Sequence, residues 1–252
     1  MNRLAACLIT LNEEKNLPRV LDSLAGIADE IIVVDSGSAD RTLEIAAARG
    51  ARVFARAWTN YSDQKNFAAL QATCGWVLSL DADEELSPAL RASLLAWKER
   101  APDAAAYEFS RRAFYLGGWV NHSGWYPNRQ VRLYRPDLVR FAGALHESLQ
   151  VNGKVARLPG DLLHYTVQTP AEHAAKVDAY TDVAARQLFE SGRRSWRGAM
   201  LAPPPWTFFQ KFFLRAGFLD GYRGWLIARM AARYIFLKYR KLGVLLRRGS
   251  PQ

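Results

Sequence analysis

Two carboxylates one residue apart, Asp81 and Asp83, end the apolar run Trp76-Val-Leu-Ser-Leu80, and Asp35 ends a second run, Ile31-Ile-Val-Val34. Carboxylate oxygens placed where buried strands stop are hard ligands, suited to Mg²⁺ or Mn²⁺ gripping a diphosphate. In open α/β sheets, ligands bind beyond the carboxyl ends of the strands. The competing use of Asp81-Ala82-Asp83 is structural, opening a turn or capping the helix that starts near Ser87-Pro88. Three more groups could act on a ligand. Arg132 on an alternating strand could meet a phosphate or sit solvated on the surface. Trp125 and Tyr126, in a Gly-rich aromatic loop, could stack on a sugar face or close over the core. Lys65 could bind an anion or pair on a helix surface.

The elements that position these groups follow from periodicity. Residues 4–10, 30–35, 51–57 and 76–80 predict strands, and residues 14–25, 40–48 and 64–73 predict the helices between them. Asp40 is the expected cap of the second helix, and Gly50 and Gly75 the expected stops of the second and third. Strands alternating with helices in this way predict a mainly parallel sheet. After a helix over 88–100 the pattern changes to period two over 107–115 and 130–134, which predicts antiparallel or edge strands. Asn152-Gly153 predicts a hairpin turn between strands over 141–149 and 151–158. A helix is expected over 170–188, and Ala202-Pro-Pro-Pro205 predicts a rigid boundary, dividing the chain into a catalytic domain over 1–200 and a helical tail over 201–252.

Composition excludes several classes. Half of the 252 residues are apolar, so the chain is globular rather than disordered. The two cysteines, Cys7 and Cys74, are expected as reduced thiols. The apolar run over 4–11 is short for a secretory segment and has no cleavage pattern after it, so a cytoplasmic protein is expected. Of the formal charge of +10, residues 206–248 hold +9, together with eleven of the thirty aromatic residues. No apolar run there approaches the ~20 residues a membrane span needs.

The Asp35 strand end before Ser36-Gly-Ser38, the Lys65-Asn66 pair and the Asp81-Ala82-Asp83 strand end together resemble the family-2 nucleotide-sugar glycosyltransferases. Trp125-Tyr-Pro127, Gln130-Val-Arg-Leu-Tyr134, Leu145-His-Glu147, Leu163-His-Tyr-Thr166 and Gly217-Phe-Leu-Asp-Gly221 sharpen this to a resemblance to the bacterial lipopolysaccharide core β-1,4-glucosyltransferases. The resemblance implies a GT-A type, Rossmann-like nucleotide-binding domain and inverting, metal-dependent transfer of a hexose. It points to glucose from UDP-glucose, passed to a lipid-linked saccharide, the lipopolysaccharide inner core. Thr10, Leu11, Asn12, Glu13 and Asp35 would surround the base and ribose, with Lys65, Asn66, Asp81, Ala82 and Asp83 completing the nucleotide-sugar site. Asp81, Asp83 and His164 would hold Mg²⁺ or Mn²⁺, and Trp125, Tyr126 and Arg132 would face the acceptor. Glu147 would take the acceptor hydroxyl's proton, with His146 as the competing base.

Placed on one helix, residues 225–248 put Arg229, Arg233, Arg240 and Arg247 on one stripe and Ile227, Tyr234, Ile235, Leu242 and Leu245 broadly opposite, with Lys238 and Gly243 as the irregularities. This predicts C-terminal amphipathic helices lying on an anionic membrane surface, at the cytoplasmic face of the inner membrane, or packed on the catalytic domain with solvated arginines. The alternatives from other classes are a non-catalytic membrane-associated protein and a nucleic-acid-binding protein. The second ranks low, because the charge is confined to one end and no nucleic-acid module accompanies it.

Overall fold

The computed structural model describes residues 1–143 and 148–248. In chain order the regular elements are β1 (Leu4–Thr10), α1 (Leu17–Leu24), β2 (Glu30–Asp35), α2 (Thr42–Ala48), β3 (Arg52–Ala55), α3 (Tyr61–Leu70), β4 (Trp76–Asp81), β5 (Glu84–Leu86) and α4 (Pro88–Lys98). Then follow β6 (Ala106–Tyr115), β7 (Gly118–Trp119), β8 (Asn128–Tyr134), β9 (Val139–Ala142), β10 (Ser148–Val151), β11 (Val155–Tyr165), α5 (Pro170–Glu190), α6 (Arg197–Leu201), α7 (Pro203–Phe209) and α8 (Tyr222–Arg248). By its internal packing the chain divides into two units, Met1–Arg111 with Asn128–Tyr165, and Arg112–Pro127 with Thr166–Gln252.

In the first unit, β1, β2 and β4 are largely apolar, with buried Ser79 as the polar residue inside β4, because both faces of each are covered. Leu4, Leu8, Ile32, Val33, Val34, Val77, Leu78 and Leu80 expose no surface. These strands and β3 pair in parallel in the order β3-β2-β1-β4. The register sets Thr10 beside Asp35 and Ile9 beside Asp81, so both acids emerge at the same end of the sheet. Beyond β4 the sheet continues as β8-β6-β11-β5, with β8 antiparallel to both β4 and β6 and β5 antiparallel to β11. The result is an α/β architecture with the expected parallel half, extended by the antiparallel strands that the period-two alternation indicated.

Helix α1 turns Leu17, Val20, Leu21 and Leu24 into the core, and α4 adds Leu90, Leu94 and Trp97 to the same apolar cluster. Each such side chain removed from water contributes about 1.5–3 kcal/mol before the cost of ordering it. Trp97 meets the edge of Trp76 with ring centroids 4.9 Å apart. Both cysteines are buried and free.

Three local expectations change. Helix α3 begins three residues earlier than its apolar spacing suggested, because Asn60 caps it by accepting from the Asp63 N–H. The Asn152-Gly153 turn exists, with Gly153 at φ +138°, but it does not close a hairpin. The strand before it, β10, pairs with β9, whereas β11 joins the large sheet, because the Ala105 N–H donates to the Lys154 carbonyl at 2.9 Å and directs the chain there. The prolines at 203–205 begin α7 rather than a linker, since the first helical turn needs no N–H donors.

In the second unit α8 packs against α5, α6 and α7. Its apolar residues Leu226, Ile227, Met230, Leu237 and Leu242 are buried, so of the apolar stripe predicted for it Ile227 and Leu242 are spent inside the unit, while Tyr234, Ile235 and Leu245 are half-buried. Gly243 is required there. A Cβ at that position would lie 2.7 Å from the Trp196 ring. Among the described residues no helix is long and apolar enough to cross a membrane.

Candidate active site

The carboxyl ends of β1 and β2 build the first half of the site. Asp35 is buried and accepts from Thr10 Oγ1 at 2.8 Å, from the Gly37 and Ser38 N–H groups at 2.9 and 2.8 Å, and from Ser38 Oγ at 2.5 Å. Burial alone would raise its pKa, but these donors outweigh burial and hold the carboxyl below its ordinary range. The adjoining loop is fixed in the same way. Asn12 adopts φ +57°, its N–H donates to Ser38 Oγ, and its side-chain oxygen accepts from the Ala39 N–H, both at 2.8 Å. Leu11 is exposed beside it. The Glu13 N–H donates to Thr42 Oγ1 at 2.8 Å, while the Glu13 carboxyl is raised above its usual range by burial, with Asp83, Asp40 and Asp81 adding to the effect.

The second half is the turn after β4. Asp81 lies between two cations, its Oδ1 3.0 Å from Lys65 Nζ and its Oδ2 2.6 Å from Arg132 Nη2. Both cations are 5 % exposed, whereas Asp81 is 30 % exposed, so one edge of the carboxylate faces outward. Burial would raise the Asp81 pKa, and the charges of Arg132 and Lys65 reverse that, holding it far below the carboxylate range. Glu84 has no exposed side-chain surface. Its Oε1 accepts from the same Arg132 nitrogen at 2.6 Å and from Arg111 Nη1 at 3.4 Å, and its Oε2 accepts from the Asp81 N–H at 3.0 Å. Glu84 therefore holds both the backbone of Asp81 and the cation that neutralises it. Ala82 fills the turn, buried.

Asp83 and His164 are brought together by the β5–β11 ladder, in which His164 stands opposite Glu84 and the Tyr165 N–H donates to the Asp83 carbonyl at 2.9 Å. His164 Nε2 lies 3.2 Å from Asp83 Oδ2, and the two side chains are 20 % and 32 % exposed. The carboxylate oxygen is a donor that either Mg²⁺ or Mn²⁺ accepts, and the imidazole nitrogen beside it suits the softer Mn²⁺ better than Mg²⁺. Among the described residues no three His, Cys, Asp or Glu side chains are grouped to hold an ion. Asp83 and His164 thus fit such an ion when the remaining ligands are substrate phosphates and water, and Asp81 is committed to its cations.

Several predicted residues occupy other positions. Arg132 is neither solvated nor facing open space. It is buried with two carboxylates, because β8 lies next to β4 and points it at the Asp81 turn. The Asn66 amide pairs with the Phe141 backbone, donating to its carbonyl at 2.8 Å and accepting from its N–H at 3.0 Å, and so fastens β9 to α3. Trp125 and Tyr126 belong to the second unit, where Trp125 packs on Tyr115 at 5.2 Å and Tyr126 precedes a cis proline. His146 and Glu147 lie outside the described residues. Glu84 was absent from the residues singled out by spacing. It lies on β5, where Glu84 and Leu86 are both buried, a strand of three residues that gives spacing no signal to read.

The family model for glycosyl transferase family 2 matches residues 6–145. The lipopolysaccharide core biosynthesis glycosyltransferase LpsC of Rhizobium meliloti is 31 % identical over 247 residues, covering 95 % of this chain and 91 % of that protein. An uncharacterized glycosyltransferase of Rickettsia typhi is 30 % identical, covering 96 % and 87 % respectively. Among solved structures, glucosyl-3-phosphoglycerate synthase from Mycobacterium tuberculosis in complex with Mn²⁺, uridine diphosphate and phosphoglyceric acid is 25 % identical. That likeness covers 46 % of this chain and 44 % of that one, with a TM-score of 0.37. With the α/β sheet and its carboxylate-bearing strand ends in place, the family match over more than half its length establishes that this chain belongs to glycosyl transferase family 2.

Proposed function

We propose that this glycosyltransferase is a metal-dependent, inverting hexosyltransferase that moves glucose from UDP-glucose onto a lipid-linked saccharide, the lipopolysaccharide inner core. It would work as a peripheral protein on the cytoplasmic face of the inner membrane. The observation that carries the reading is the turn after β4, where Asp83 and His164 converge at 3.2 Å beside an Asp81 held between two buried cations. The resemblance to LpsC over nearly the whole of both chains supports the acceptor class.

In this reading Asp35, with the loop through Asn12, receives the ribose and base, and its hydrogen bonds keep the carboxylate ionised and oriented. Asp83 and His164 would hold Mg²⁺ or Mn²⁺, which when bound neutralises charge on the departing nucleoside diphosphate. Asp81 fixes the turn that presents Asp83. Glu147 takes the proton of the attacking hydroxyl, so that the hydroxyl oxygen bonds to the anomeric carbon as the bond to the diphosphate breaks.

The test is calorimetric titration of the full chain with a panel of nucleotide sugars, each with Mn²⁺ and again with chelator. Binding of UDP-glucose in Mn²⁺ that is lost with chelator supports the proposal. Binding of a different nucleotide sugar overturns the donor, and no metal-dependent binding by the folded protein overturns the transferase chemistry.

A further inference from the structure

With much of the apolar face of α8 buried, a different surface of the second unit is open. Trp206, Phe209, Phe213, Phe218, Leu219 and Tyr222 are each 44–62 % exposed. They form one patch rather than scattered residues. Ring contacts run from Trp206 to Phe209 at 5.8 Å, on to Phe213 at 5.2 Å, to Phe212 at 5.1 Å and to Phe218 at 6.4 Å. The segment is held in shape by a π-helical turn over Gln210–Leu214 and a 3-10 turn over Gly217–Asp220. Gly217 sits against α8 so closely that a Cβ on Gly224 would overlap its carbonyl. Exposed aromatic rings on a backbone fixed in this way lose little freedom on meeting a partner.

The segment that carries the patch is basic. Arg215, exposed, follows the π-helical turn that carries Phe213. Tyr222 stacks on Trp225 at 5.7 Å, and the exposed Arg229 lies over the Trp225 ring at 5.1 Å. The sole acid from residue 191 to the end of the chain is Asp220. Its side chain is 4 % exposed, because it accepts from the Asn121 and His122 N–H groups at 3.1 and 2.9 Å and lies 3.0 Å from His122 Nδ1. The segment over residues 206–222 thus offers aromatic rings and cations and carries no exposed carboxylate of its own. A second copy of the same surface would bring like charges together.

We infer that this aromatic patch over residues 206–222, and not the apolar stripe of α8, is the surface by which the protein docks on an anionic lipid bilayer. The inference rests on the membrane part of the proposed function and narrows the membrane-associating tail expected over residues 201–252 to this segment. Phe, Trp and Tyr rings would enter the headgroup boundary while Arg215 and Arg229 meet lipid phosphates. Two cations on α8 are already engaged with α5, Lys241 Nζ at 2.9 Å from Asp182 and Arg233 at 3.8 Å from Asp178.

The test is sedimentation of the full chain with phosphatidylglycerol–phosphatidylcholine vesicles and with pure phosphatidylcholine vesicles. Wild type should bind the anionic vesicles more tightly, and added salt should weaken it. Phe213→Ser with Phe218→Ser should lower partitioning roughly thirtyfold, from the apolar area of two half-exposed rings. Arg215→Gln should lower it about fivefold on anionic vesicles and leave neutral ones unchanged. Brominated lipid should quench wild-type fluorescence more than that of Trp206→Phe, a comparison that disturbs no core residue. Failure of wild type to bind any vesicle overturns the membrane reading itself. Wild-type binding that the serine pair leaves unchanged overturns the patch alone. A serine pair that converts a dimer to a monomer makes the patch a self-association surface and also overturns the inference. Nucleotide-sugar titration of the same variants separates these results from the transferase chemistry.

Discussion

Replacing Glu84 by Gln keeps the side chain's size and removes one charge from a fully enclosed position. The cluster of Lys65, Arg111, Arg132, Asp81 and Glu84 would move from one excess positive charge to two. Removing one member of a buried ion pair costs about 3–5 kcal/mol when the partner is stranded. Here Arg132 keeps Asp81 at 2.6 Å and is not stranded, so the expected cost falls below that range, about 2–3 kcal/mol. The amide oxygen can accept from either the Asp81 N–H or Arg132, but no longer as a carboxylate shared by both. The Asp81 turn is therefore expected to loosen, and donor affinity in Mn²⁺ to fall about 10–100-fold, as when residues supporting metal ligands are lost. Urea unfolding measures the first quantity and calorimetric titration with UDP-glucose the second. A double-mutant cycle with Arg132→Met should return a coupling above about 1 kcal/mol. Stability within about 1 kcal/mol of wild type, with unchanged donor affinity and no coupling, would refute the argument that Glu84 holds this turn.

Asp83→Ala should abolish metal-dependent nucleotide binding while moving stability by less than about 1 kcal/mol, since the side chain is partly exposed and its listener across the ladder is His164; circular dichroism alongside titration checks both. His164→Ala should raise the Mn²⁺ concentration needed for half-maximal nucleotide binding about 10–100-fold, read by metal titration at fixed UDP. Glu147→Gln should bind the donor like wild type and lose transfer, and full transfer would pass the base role to His146. The Asp29 and Asp35 carboxyls, both held below their ordinary range against the effect of burial, contribute stability that is present above the unfolded value of about 3.9. That stability is lost as pH falls through the lower folded values. Unfolding free energy should therefore decline below about pH 4, and less steeply in Asp29→Asn and Asp35→Asn.

The parallel half of the sheet was legible because its strands are covered on both faces, so Leu4 to Leu8, Ile32 to Val34 and, but for Ser79, Val77 to Leu80 are apolar. The acids that end these strands were legible for the same reason, as abrupt changes from apolar to charged. What could not be read was partnership. Arg132 has the same spacing whether it faces solvent or a carboxylate, and its partner Glu84 lies 48 residues earlier on a strand of three residues, too short to show a period. The α8 stripe was ambiguous in a related way, readable as lipid-facing or as packed within the chain. An apolar face at helical spacing states that something covers it, and α5, α6 and α7 within the same chain do so. Asn66 matched a family pattern by position, yet its amide is consumed by the backbone of Phe141, a pairing across 75 residues that spacing does not encode.

The ladder between β5 and β11 ties together stretches of chain some eighty residues apart, as the Tyr165–Glu85 hydrogen bond illustrates. Closing so long a loop is slow relative to forming the local helices and neighbouring parallel strands. During synthesis, the nucleotide-facing strands can therefore exist for some time before the histidine arrives. A growing chain that stops short of residue 164 presents Asp83 without its imidazole neighbour, so under the proposed function ion-assisted substrate capture would await the finished first unit.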